Sequence, residues 1–130
     1  MMRHQNWEHK LNEFLKSVGS FEWGANDCCM FAVNAVEAMT GKDHGKPYRG
    51  YKTALGAARR LEKFGGVEGI ATIELGDPKP VKQAKRGDVV SIQNGENIIL
   101  GICVGVKMAA VSEDGLTLFS MSVARNAWSV

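Results

Sequence analysis

The chain of 130 residues shows no imbalance of charge: 16 lysines and arginines stand against 14 aspartates and glutamates, a net charge of +2. Nucleic-acid binders carry a clustered basic footprint. The nearest thing here is Lys79 to Arg86, four basic residues on a proline-containing connection, which reads as a solvated loop. No nucleic-acid partner is expected. The chain also lacks a long apolar run. The longest, Ile98 to Val106, suits a buried strand and falls far short of a bilayer crossing, so no membrane span is expected. Met1 to Lys10 is polar, without the apolar segment of a secretory signal, and synthesis in a cytoplasm is expected. Cysteine is scarce and odd in number: Cys28, Cys29 and Cys103. An odd count argues against a disulfide framework, and a bridge between the neighbours Cys28 and Cys29 would be strained. There is no C-x-x-C pair and no histidine pair at ligand spacing, so neither a metal site nor a cofactor is expected. Internal repeats and low-complexity segments are also missing.

What the chain does have is 45% hydrophobic residues in a length suited to one core, so residues 1–130 read as a single domain. Helical patterns come first and strand patterns second, the order of an α+β fold. Trp7, Leu11, Phe14, Leu15 and Val18 recur at helical spacing and predict a helix from about His4 to Val18, ended by Gly19. Asp27 is a good N-cap for a second helix, Cys28 to about Thr40, with Phe31, Ala35, Val36 and Met39 on one face and Gly41 just past its end. Thr53 caps a third, through about Phe64, burying Leu55, Ala58, Leu61 and Phe64. Val67 to Leu75 is either a short helix or an extended segment.

After Arg86 the period changes to that of strands. Asp88 to Gln93 is a strand, Asn94-Gly95 a tight turn, and Asn97 to Gly105 the returning strand. Ile98, Leu100, Ile102 and Val104 share one face of it, and Ile99 and Cys103 the other. Lys107 to Val111, Leu116 to Phe119 and Arg125 to Val130 complete an antiparallel meander. About three helices are expected to pack against it.

Cys28 stands out by position. A first helical residue sits where unpaired backbone N–H groups and the positive end of the helix dipole converge. Such a site favours the thiolate, and its N–H groups can hold an oxyanion. Trp23 and Gly24 would form a groove wall beside it, Gly24 allowing a substrate backbone to come close. The plain alternative is that Cys28, like Cys29 and Cys103, is a buried small hydrophobe.

The stretch Phe21-Glu22-Trp23-Gly24-Ala25-Asn26-Asp27-Cys28-Cys29-Met30-Phe31 resembles the D-C-S-G-[LF] nucleophile motif of the papain-like NlpC-type peptidases. Arg86 to Val90 is similar to their P-G-D-[LI]-[VI] segment, and Leu100 to Gly105 to their H-[VA]-G-[IV]-Y-[IV]-G strand. A second resemblance covers nearly the whole chain. It is to a small family of phage and prophage tail-region proteins patterned W-G-x-x-D-C, T-G-x-D, R-G-x-Y, G-G, R-G-D-V-V, L-G-[IV]-C-V-G, G-L and A-W-x-V. Those motifs fall here at Trp23 to Cys28, Thr40 to Asp43, Gly65-Gly66, Arg86 to Val90, Leu100 to Gly105, Gly115-Leu116 and Ala127 to Val130, and Arg49 to Tyr51, one residue shorter, stands for R-G-x-Y. The resemblances imply an NlpC-type fold, synthesis in a bacterial cytoplasm, incorporation into a virion tail and other tail proteins as partners.

One departure bears on activity. The histidine that serves the peptidases as general base falls at or near Leu100, and leucine moves no proton. The other polar residues nearby, Asn94 and Asn97, are amides. His44 is a candidate base only if its loop folds back along a helix roughly 18 Å long. His4 and His9 lie on or near the first helix. Otherwise all three are surface histidines. Three functions follow: a tail-assembly protein with a degenerate peptidase fold; an active thiol hydrolase using Cys28 on cell-wall peptides; or a peptide-binding module using the old groove.

Overall fold

The computed structural model describes residues 3–130. Four helices precede five strands: α1 Trp7–Ser17, α2 Met30–Thr40, α3 Ala54–Glu62, α4 Gly66–Leu75, then β1 Val89–Asn94, β2 Asn97–Cys103, β3 Lys107–Ser112, β4 Gly115–Ser120 and β5 Ala124–Trp128. The chain is α+β, with one more helix than expected. The undecided stretch after Gly65-Gly66 is α4, which buries Val67, Ile70 and Ala71. Among the described residues, no helix is long and apolar enough to cross a membrane.

The helices differ from expectation at their ends and in one facing. α1 begins at Trp7 and stops because Val18 takes extended backbone, one residue before Gly19. Its stripe is as read: Leu11 is fully buried, and Trp7, Phe14, Leu15 and Val18 pack on the core. α2 is buried nearly all round, because α1 covers one side and β2 the other. Gly41, at φ 80°, closes it as a left-handed cap. On α3 the Thr53 hydroxyl accepts from the Gly56 N–H at 3.0 Å, the expected cap. The buried pair is Ala57 and Leu61, however, while Leu55 and Ala58 are exposed. Ala57, Leu61 and Phe64 make a stripe that meets α4 and Tyr48, and that stripe sets the helix rotation.

The sheet is antiparallel in the order β4-β3-β2-β1-β5. The first four strands meander as expected; β5 instead crosses to the far edge and pairs with β1. Trp128 drives that crossing. It is buried against the helices, and its indole N–H reaches the Thr72 hydroxyl on α4 at 3.2 Å. The β1–β2 turn falls one residue later than read: Asn94 pairs with Asn97, leaving Gly95-Glu96 as the loop. The two faces of β2 are as read. Ile98, Leu100, Ile102 and Val104 meet the helices. Ile99 and Cys103 join Val90, Ile92, Met108, Ala110 and Ala127 on the other side. Glycine is required at Gly101, where a side chain would strike the Ala109 carbonyl on β3.

Two carboxylates tie these layers together. Glu68 on α4 accepts from Ser91 Oγ on β1 (2.7 Å) and, on β5, from Asn126 Nδ2 (3.1 Å) and Arg125 Nε (3.2 Å). Asp88, just before β1, is 2% exposed. Its Oδ1 accepts from Arg3 (3.1 Å) and from the Val130 N–H (3.3 Å), and its Oδ2 from Lys79 Nζ (2.7 Å) and the Lys85 N–H (2.8 Å).

Replacing Asp88 with alanine strands two cations and two backbone donors, and is expected to cost about 3 kcal/mol in urea unfolding. Glu68 gives a pH signature. Burial opposes its charge, but the bonds from Arg125, Ser91 and Asn126 outweigh burial and hold the carboxyl below its ordinary 4.5. Its stabilisation is therefore fully present above pH 4.5 and is lost as pH falls through the depressed value. Unfolding midpoints measured downward from pH 5 should fall more steeply for the parent protein than for Glu68→Gln.

Candidate functional site

The site is built on the turn that leads into α2. Glu22 and Asn26 exchange two backbone hydrogen bonds, of 2.9 and 2.8 Å, and fold residues 22–26 into a tight loop. Gly24 sits in that loop at φ 84°, a conformation suited to glycine. The Tyr51 carbonyl lies on its α-carbon and fills the space that a side chain would need. Gly24 thus receives the chain's own backbone, and it does not line the cleft described below.

Asp27 follows and is fully buried. Its Oδ2 accepts from the Gly24 N–H at 2.7 Å, and its Oδ1 from the Cys29 and Met30 N–H groups, both at 2.9 Å. This is the capping role read from the sequence. The regular helix, however, starts at Met30, so Cys28 and Cys29 occupy the turn before it and Cys28 is not its first residue.

The cap has a chemical consequence. The Cys29 and Met30 N–H groups, which at a bare helix start would serve an oxyanion, are already bonded to Asp27. The Phe31 N–H bonds the Asp27 carbonyl at 3.2 Å. Asp27 also brings a negative charge to the positive end of the helix dipole. Burial first, and the Asp27 charge second, push the Cys28 thiol up to about 12, against a smaller opposing effect of its own backbone N–H. At neutral pH it is a thiol, the weak nucleophile of the pair. Cys29 is fully buried and is pushed up further, again by burial first.

The strand carrying the missing histidine does reach this turn. The Leu100 N–H donates to the Cys28 carbonyl at 2.8 Å, so β2 is pinned against Cys28. The Leu100 side chain points into the helix-side core. The β2 residues that share the cleft with Cys28 are Asn97, Ile98 and Ile99. None of these side chains, an amide and two hydrocarbons, can act as a general base, and neither can Leu100.

The three histidines lie elsewhere. The His4 backbone N–H donates to the Met39 carbonyl at 2.7 Å and the His4 ring lies beside Gly41, at the opposite end of α2 from Cys28. His9 is exposed on α1. The His44 loop does fold back along α2, as a base there would require: Gly45 lies against Val33, and Arg49 reaches Met30 Sδ at 3.6 Å. Its imidazole nevertheless points toward α4, with Nδ1 on Glu74 Oε1 at 2.8 Å. Tyr48 holds the other oxygen of Glu74 at 2.7 Å. His44 is 6% exposed rather than on the surface, because α4 covers it. Among the described residues its Nε2 is buried without a partner, and His44 lines a small apolar cavity between α2 and α4 that Cys28 does not line.

Cys28 opens on a cleft of about 1020 Å³ between α3 and one end of the sheet. Trp23 lines it as expected, braced edge-on by Phe21 with ring centroids 4.8 Å apart. Two residues near the site went unread as site residues. Tyr51 has a buried hydroxyl near Asp27 that makes no well-formed hydrogen bond among the described residues, and burial first, then the approach to the Asp27 carboxylate, push its phenol far up. Glu74 holds His44 away from the cleft. Tyr51 had a signal in the sequence, as the last residue of the Arg49-Gly50-Tyr51 motif. Glu74 had none, because its segment was undecided between helix and strand. Among the described residues, no group of three or more histidine, cysteine, aspartate or glutamate side chains is placed to hold a metal ion.

Residues 2–130 match the family described as Domain of unknown function (DUF6950). The chain belongs to this family. No curated protein and no solved structure matches it.

Asp27→Asn separates the two causes acting on this DUF6950 thiol. Removing the charge should lower the Cys28 pKa measured by alkylation, yet leave it above the ordinary value near 8.5, because burial is the larger cause. Asp27→Ala should instead destabilise the fold by about 3 kcal/mol, since three N–H groups lose their acceptor.

Proposed function

We propose that this protein is a non-catalytic assembly component of a phage or prophage tail, built on an NlpC-like scaffold whose chemistry has been lost. The observation that carries the reading is the surroundings of Cys28. Its thiol is pushed up to about 12, the β2 residues sharing its cleft are Asn97, Ile98 and Ile99, none of them a base, and the Cys29 and Met30 N–H groups are bonded to Asp27. An active cysteine hydrolase needs a base or an imidazolium partner for its sulfur, and an unoccupied pair of donors for its oxyanion. Support for the scaffold comes from the contact between two of the motif segments, the Leu100 N–H on the Cys28 carbonyl. The tail setting rests on the whole-chain motif resemblance. Its partners would be other tail or virion proteins.

The alternative is a thiol hydrolase acting on cell-wall peptides, and one observation favours it. Cys28 is partly exposed and faces an open cleft large enough for a peptide. Alkylation of Cys28 as a function of pH, resolved from Cys29 and Cys103 by mass spectrometry, decides between the two. The non-catalytic reading expects no thiolate between pH 6 and 9, and a rate still rising with pH above that range. A thiolate already formed at pH 7 would overturn it.

A further inference from the structure

We propose that the cleft beside Cys28 is a docking groove for an extended segment of a partner polypeptide, apolar in its buried side chains and carrying lysine or arginine between them. The inference rests on the non-catalytic reading above, which leaves the cleft for binding, and it names the chemistry of what binds there.

The first observation is charge. The chain as a whole carries +2, yet the charged side chains lining the cleft are Glu62, Glu113 and Asp114, all carboxylates. Among the described residues, no lysine, arginine or histidine lines it. All three carboxylates belong to exposed residues, and among the described residues none forms an ion pair within the chain. Glu62 ends α3, while Glu113 and Asp114 form the β3–β4 turn, so negative charge comes from two different elements. A low-dielectric groove rimmed by one sign of charge concentrates ligands of the other. Cell-wall stem peptides, which carry free carboxylates, and nucleic acids, which carry phosphates, meet the wrong sign here.

The second observation is the floor. Phe21, Trp23, Ile98 and Phe119 offer aromatic and aliphatic surface between those rims. Asn94 and Asn97, both exposed, border the same space, and side-chain amides there can hydrogen-bond a peptide backbone. A volume of about 1020 Å³ is at the upper end for a small-molecule pocket and accommodates several residues of chain. Apolar residues alternating with cations match this arrangement in both respects.

The test uses the full chain, labelled with ¹⁵N, and two short capped peptides. One alternates leucine with lysine; its twin carries glutamate in place of every lysine. The indole N–H of Trp23 and the side-chain amides of Asn94 and Asn97 report binding at the cleft. The lysine peptide is expected to shift these signals and to bind at least about tenfold more tightly than the glutamate twin, a preference that narrows as salt is raised. The triple variant Glu62→Gln, Glu113→Gln, Asp114→Asn should weaken the lysine peptide by about tenfold. These positions are exposed, so the fold should survive, and an unchanged spectrum away from the cleft would verify that. Equal binding of the two peptides, or no shift of the cleft signals by the lysine peptide at millimolar concentration, overturns the inference. Neither outcome depends on the reactivity of Cys28. A thiolate formed at pH 7 would defeat the non-catalytic reading, and a missing charge preference would defeat this inference alone.

Discussion

The buried carboxylate of Asp27 is the constraint on which the rest of the site depends. One side chain closes the loop through Gly24 and starts α2 through Cys29 and Met30. The turn so fixed presents the Cys28 carbonyl to β2, and Leu100 takes it. The Cys29 and Met30 N–H groups would otherwise be buried donors without a partner, at a cost of about 1–3 kcal/mol apiece. The same carboxylate that builds the turn adds its charge to burial, the larger cause, in holding the neighbouring thiol protonated. Structure and reactivity are thus set against each other at a single residue.

The second buried carboxylate, Asp88, does comparable work at the start of the sheet. It collects Arg3 from the N-terminal segment, Lys79 and Lys85 from the connection after α4, and Val130 from the far end of the chain. Two of the four basic side chains of that connection are therefore committed within the chain. Lys79 is paired with Asp88, and Arg86 bonds the Val104 carbonyl and Asn12. The acidic rim of the cleft has no such internal partners, and this difference separates a structural use of charge from one directed outward.

Much of this was legible in the sequence, for local reasons. Alternation on β2 sorted its side chains correctly because a strand's period of two leaves no choice once one face is buried. Asp27 and Thr53 announced their caps because a short oxygen-bearing side chain before a helical pattern has few other uses. The facing of α3 was misread at Leu55 and Ala58, since a three-turn helix with several alanines offers more than one apolar stripe. β5 was placed in the sheet, but its neighbour was not foreseen. Strand pairing is a long-range property, decided here by where Trp128 finds room against α4. At the site, the hydrocarbon in place of the base was readable from Leu100. The fate of His44 was not, because it depends on Glu74, thirty residues away in sequence, in a segment whose type was undecided.

Asp88 has one further consequence. Arg3 and Val130 bind each other, the Arg3 Nε donating to the Val130 carbonyl at 2.8 Å, and both bind Asp88. The two ends of the described chain are thus held side by side, and the fold is nearly a closed ring. Joining them by a few flexible residues and reopening the ring at the exposed Gly95-Glu96 turn would keep every strand pair in the sheet. For the same reason, any polypeptide fused before Arg3 and any fused after Val130 would leave the domain from one common point. A domain of this form can be inserted into a host loop as readily as it can be strung in a line.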